Sequence, residues 1–98
     1  TDKQHGLVAL AGPAVNLVLA VIFVPLLVVG NVMNIELVTL VGGRGLAVNL
    51  FLAAFNLVPL GPLDGNTILD WSKLVWVAVF LPSAAVAFLT VFVFRIGF

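Results

Sequence analysis

The ten residues Asn56-Leu57-Val58-Pro59-Leu60-Gly61-Pro62-Leu63-Asp64-Gly65 decide how this chain is read. Pro59 and Pro62 each remove a backbone donor and crowd the preceding turn, and Gly61 adds backbone freedom. A helix entering from Leu46 therefore cannot continue regularly past about Val58. Taken alone, Pro62-Leu63-Asp64-Gly65 is an ordinary four-residue turn, since Pro, Asp and Gly are its usual constituents. What surrounds the break gives it more weight.

Hydrophobic residues make up 63% of the 98-residue chain and charged residues 8%, with a mean hydropathy of +1.32. Soluble domains are about 45–50% apolar and about 25% charged. Eight charges cannot clothe a soluble surface of this size, and disorder is excluded by the same apolar excess. Four basic and four acidic residues cancel, which leaves no electrostatic footprint for nucleic acid. The chain has no Cys and one His, so it cannot by itself form the common Cys- or His-based zinc sites. These numbers imply an integral, multi-pass membrane protein.

The charged residues separate three apolar blocks, at about 7–30, 46–63 and 74–95. A bilayer core of about 30 Å needs about 20 apolar residues as a helix, and each block qualifies, the second barely. The expected fold is thus all-α, with three transmembrane helices in one membrane-embedded module covering residues 1–98. The second helix is expected to break near its C-terminal end at Pro59 and Pro62. The first block lacks the basic start and small-residue cleavage site of a signal peptide and reads as a retained span. Lys3 and Lys73 on one side balance Arg44 and Arg95 on the other, so the positive-inside rule gives no orientation.

Several local readings follow. Gly30 to Gly45 reads as a glycine-rich connection with a short extended piece over Ile35–Val41. Gly12-Pro13 reads as a helix start, and Pro25 and Pro82 as kinks within spans. Trp71 and Trp76 flank Lys73 as headgroup-level anchors, and His5 is a solvent- or headgroup-level residue. Asn49 and Asn56, seven apart, share a helix face, where interhelical hydrogen bonding is the plain expectation. For Asn16 that expectation stands level with a functional role.

From Leu46 to Val58 a helix is about 20 Å long, short of the hydrocarbon thickness. The irregular stretch should then begin at membrane depth, where such backbone must be buried in protein or line a cavity. Asp64 becomes a carboxylate near the membrane boundary. A charge at the centre of a span costs about 2.5–3.5 kcal/mol, so Asp64 needs a cation, a metal or a polar helix neighbour. Successive spans run antiparallel, so Ala11-Gly12-Pro13-Ala14-Val15-Asn16 at the start of the first lies at a depth similar to the break ending the second.

The pair Gly12-Pro13-x-x-Asn16 and Asn56-x-x-Pro59-x-x-Pro62-Leu63-Asp64-Gly65 resembles the site-2 protease family of intramembrane zinc metalloproteases. The resemblance runs from Leu7 to about Lys73, and the second motif is its specific part. It implies that Asp64 is a zinc ligand and that Asn56 lies near the metal, positioning substrate or stabilising the developing oxyanion. It gives Gly12, Pro13 and Asn16 a structural role near the site and lets Gly65 turn the chain sharply after the ligand. It also implies a membrane-anchored protein substrate. A catalytic zinc takes three protein ligands and lowers the pKa of its water to about 7.

The family's His-Glu-x-x-His motif is absent from the 98 residues. Two further ligands and the general base are therefore expected from a span N-terminal to Thr1, with the chain a partial, on its own inactive, catalytic core of a longer enzyme. A natural inactive homologue is the rival expectation. Two other readings are an ion-coupled transporter fragment, whose broken helix would build a cation site, and a non-catalytic three-helix membrane subunit.

Overall fold

In the computed structural model, which describes residues 2–93 and 95, the chain forms four α-helices. They are α1 (Asp2–Met33), α2 (Glu36–Asn56), α3 (Asp64–Trp71) and α4 (Lys73–Phe88), and α4 continues into a π-helical turn, Leu89–Val93. Three helices are long and apolar enough to cross a membrane: α1, α2 and the Lys73–Phe92 helix. The fold is all-α, and its extents are 50 × 22 × 19 Å. Phe94, near the expected end of the third span, lies outside the described residues.

α1 begins at Asp2 and runs unbroken through Pro13 and Pro25. Pro13 is thus an interior residue rather than a helix start. The apolar run continues on both sides of it, and the ring is itself almost fully buried. The connection to α2 is far tighter than the glycine content suggests. Asn34 adopts a left-handed φ of 55°, and the Ile35 N–H donates to the Gly30 carbonyl at 3.0 Å. This closes the Schellman pattern that ends many helices.

The expected loop over Gly30–Gly45, with its extended piece at Ile35–Val41, is instead helix from Glu36 onward. Its glycines serve packing rather than turning. A Cβ at Gly42 would run into the Leu27 backbone, one at Gly45 into the Phe23 ring, and one at Gly30 into Thr39. Helices in a membrane gain little from apolar burial against each other, so close backbone approach through small residues supplies the contact. Arg44 consequently lies two turns inside α2, with its side chain exposed. A long basic side chain can reach from there toward the membrane surface.

The helix preceding the break therefore has 21 residues rather than thirteen, about 31 Å of helix. It ends at Asn56, ahead of Pro59. Leu60–Leu63 then forms a turn closed by the Leu63 N–H on the Leu60 carbonyl at 3.1 Å, with Gly61 at φ +52°. That left-handed conformation favours glycine. The turn falls two residues earlier than Pro62–Gly65, and Asp64 begins a helix of its own.

Two apolar clusters hold the assembly together. In one, Ala20, Leu46, Leu50 and Ala87 join α1, α2 and α4. In the other, Ala9, Leu57 and Ile68 join α1, the end of α2 and α3, with Val75, Trp76, Val79 and Phe80 of α4 packed against them. Leu57 and Ile68 are completely shielded.

Candidate metal-binding site

α2 and α3 both run antiparallel to α1, but in different registers. Along α2, Thr39 meets Gly30, Gly42 meets Leu27 and Gly45 meets Phe23. Continued at one residue per residue, that pairing carries Asn56 to the level of Pro13. Along α3, Asp64 meets Gly12 and Trp71 meets Gly6, with Ala9 and Ile68 in one cluster between them. The loop 57–63 takes up the offset between the two registers. As a result Asn56 and Asp64, eight positions apart in sequence, sit at neighbouring levels of α1.

That level is inside the apolar part of α1. Gly12 lies five residues inward of Leu7, where the apolar run begins, which is about 7.5 Å along the helix. α2 thus ends short of the boundary that α1 defines, even with its extra turns at the other end.

The two motifs meet where the Asp64 carboxylate faces Gly12. A Cβ built on Gly12 would stand 2.6 Å from Asp64 Oδ2, so glycine at 12 is what admits the carboxylate. Asp64 is half-buried as the first residue of α3, where a carboxylate suits the unpaired N–H groups and the positive end of the helix. Asn16, one turn further along α1, is half-buried, as is Asn56.

Two residues, Gly65 and Asn49, behave differently from expectation. Gly65 does not turn the chain, because it is helical and buried within α3. Its missing side chain makes room for α2: a Cβ there would overlap the carbonyl groups of Leu57 and Val58. Asn49 does not bridge helices, since its amide donates to the Gly45 carbonyl of its own helix at 2.8 Å. The two tryptophans also make contacts within the protein. Trp71 lies over Gly6, and the Trp76 indole N–H donates to the Leu57 carbonyl at 2.8 Å.

Beside Asp64 an open cleft of about 540 Å³ is bounded by Asp2, His5, Thr67 and Asp70. None of these four was singled out as a site residue from the sequence. The signal was helical spacing: His5 and Gly12 are two turns apart on α1, and Asp64 and Thr67 one turn apart on α3, so the same two faces carry both the motif residues and the cleft. The cleft has three carboxylates and one imidazole, a lining that favours cations. Yet among the described residues no three His, Cys, Asp or Glu side chains come together to hold a metal. A catalytic zinc needs three protein ligands, so these residues do not complete a zinc site. Asp64 can serve as one donor of a larger set.

The chain is similar to two proteins of known name. It is 39% identical over 82 residues to "Putative zinc metalloprotease MJ0611" of Methanocaldococcus jannaschii, a match covering 84% of this chain and 42% of that protein. It is 44% identical over 78 residues to "Putative zinc metalloprotease sll0528" of Synechocystis, covering 78% of this chain and 19% of that protein. The chain thus spans about two-fifths of one relative and about one-fifth of the other. No family model and no solved structure matches it. The similarity lies in a chain with three helices long and apolar enough to cross a membrane among its described residues.

Proposed function

We propose that the chain is part of the catalytic core of an intramembrane zinc metalloendopeptidase of the site-2 protease type, which hydrolyses peptide bonds of membrane-anchored proteins. In this reading Asp64 supplies one zinc ligand and Asn56 acts near the metal as a neutral amide donor. Such a donor stabilises charge as it develops on a carbonyl oxygen. Two further ligands and the general base come from a span of the same enzyme outside these 98 residues, whose docking beside Gly12 and Asp64 completes the site. The zinc would supply an activated water and polarise the scissile carbonyl. The chain's own contribution is to hold a carboxylate and an amide at neighbouring levels of α1, on either side of the break.

The observation that carries this reading is the meeting of Asp64 Oδ2 with Gly12. It joins two motifs 52 residues apart in sequence, inward of the start of the apolar run. The relatives' names support zinc and proteolysis.

The test is zinc content and cleavage of a membrane-anchored substrate by the full-length protein, beside its Asp64→Ala variant. The wild type should retain about one zinc per chain and cut the substrate, and Asp64→Ala should lose both. Full zinc retention and cleavage by Asp64→Ala would overturn the assignment.

A further inference from the structure

Helix α2 ends in a place where its last carbonyls have few donors to turn to. The Leu57 N–H is satisfied by the carbonyls of Ala53 and Ala54, and the Val58 N–H by that of Phe55. The residues that follow include Pro59 and Pro62, which carry no N–H. Leu57 itself is completely shielded from solvent, and a buried carbonyl left without a partner is costly. Its partner comes from another helix: the Trp76 indole N–H, at 2.8 Å.

The same carbonyl is the surface on which α3 rests. Gly65, the residue after Asp64, lies so close to the Leu57 carbonyl that no Cβ fits between them. One oxygen is thus held from the α4 side by Trp76 and bears on the start of α3 from the other. The indole is held in turn. Its ring stacks on Phe80 at 4.9 Å between centroids and 16° between planes. The start of α4 is fixed by Ser72, whose Oγ accepts from the Val75 N–H at 3.3 Å and whose N–H donates to Ile68 of α3 at 2.8 Å.

We propose that Trp76 is a positioning residue for Asp64: its indole N–H pins the Leu57 carbonyl, and the pinned carbonyl sets where α3 begins and hence how the Asp64 carboxylate meets Gly12. In this role the indole acts through the Leu57 carbonyl rather than on substrate or metal. Its effect on catalysis rests on the function proposed above, while the pin itself does not.

Two measurements on the full-length protein test this. In the first, the protein carries ¹⁵N-labelled tryptophan in detergent, and the two indole signals are identified by their loss in Trp76→Phe and Trp71→Phe. The Trp76 indole N–H should exchange with solvent at least about tenfold more slowly than that of Trp71, as a buried hydrogen-bonded donor does. Equal exchange rates would overturn the pin.

In the second, cleavage kinetics on a membrane-anchored substrate compare the wild type with both variants. Trp76→Phe keeps an aromatic ring for Phe80 but removes the donor. It should lower kcat about tenfold with KM unchanged, and weaken zinc retention against a chelator by a similar factor. Trp71→Phe should leave kcat as in the wild type. A Trp76→Phe enzyme with wild-type kcat and zinc retention would overturn the positioning role. A wild type that neither holds zinc nor cleaves would instead overturn the proposed function, with the exchange experiment still deciding the pin.

Discussion

The two ends of α1 are covered in different ways. From Phe23 to Gly30 it lies against α2 through glycines, which admit the Leu27 backbone, the Phe23 ring and Thr39, and the polar groups there bond within their own segment: Asn49 to Gly45, and Thr39 to Ile35 at 3.2 Å. From Gly6 to Gly12 it lies against α3, and small residues on α1 admit an indole ring and a carboxylate. Had α2 continued straight, it would have covered this end of α1 as it covers the other. The break replaces an apolar helix by a short one whose first residue is acidic. The same use of small residues therefore yields pure packing in one half and a polar site in the other.

The strongest way to break that contrast is Gly65→Ala. The added methyl would overlap the backbone of Leu57 and Val58, which cannot swing aside as a side chain can. Overpacking of this kind costs about 1–3 kcal/mol or more, and here it would also push α3 off α2. On the proposed function, cleavage by the full-length protein should fall at least about a hundredfold, since displacing a reacting group by about 1 Å can cost that much. Near-normal cleavage would mean that the contact does not position Asp64. In the packing half, Gly42→Leu should lower the unfolding free energy in mild detergent by about 2–3 kcal/mol, because its Cβ meets the Leu27 backbone. Zinc retention by the protein that remains folded should be unchanged, which separates the two halves.

Gly12→Ala gives a subtler separation. Gly12 is exposed, so a methyl there meets only the Asp64 carboxylate, at 2.6 Å. Alanine also favours a helix interior over glycine by about 1 kcal/mol. Stability should therefore stay level or rise slightly, while zinc affinity drops about tenfold, the effect expected of disturbing a ligand's surroundings. Loss of both together would mark Gly12 as a packing residue like Gly42.

How much of this was legible in the sequence follows the same division. The three spans, the site of the break and the shared depth of Gly12 and Asp64 follow from apolar run lengths, proline chemistry and antiparallel order, which are local or topological. The start of α2 at Glu36 was not legible, because Gly42, Gly43 and Gly45 carry the same letters whether they loosen a loop or admit a neighbouring helix. Only the proximity of Leu27 and Phe23 distinguishes the two. Helix α3 was hidden because eight residues between breaks give little periodicity. The contacts of the tryptophans were hidden because the Leu57 carbonyl that recruits Trp76 belongs to another helix. Membership of the cleft by Asp2, His5, Thr67 and Asp70 required the α3 register, which the loop 57–63 sets.

The smallest expected effect sits at Asn49. Its amide donates at 2.8 Å to a carbonyl four residues back in the same helix, and it is half-buried beside the glycine seam. Such a back-bond adds no contact between helices and competes with the regular ladder. Asn49→Leu removes a donor whose acceptor, the Gly45 carbonyl, keeps its place in the helix ladder, and it adds apolar surface where lipid or protein can meet it. Stability in detergent should change by less than about 0.5 kcal/mol, with cleavage and zinc retention unaltered. The comparison with Asn56→Ala sharpens the point. The two asparagines share a face of α2, yet only the one at the level of Gly12 and Asp64 should affect turnover. A loss of cleavage in Asn49→Leu comparable to that in Asn56→Ala would mean that the polar site extends down α2 past the break, and that the division of α1 into a packing end and a site-forming end is drawn in the wrong place.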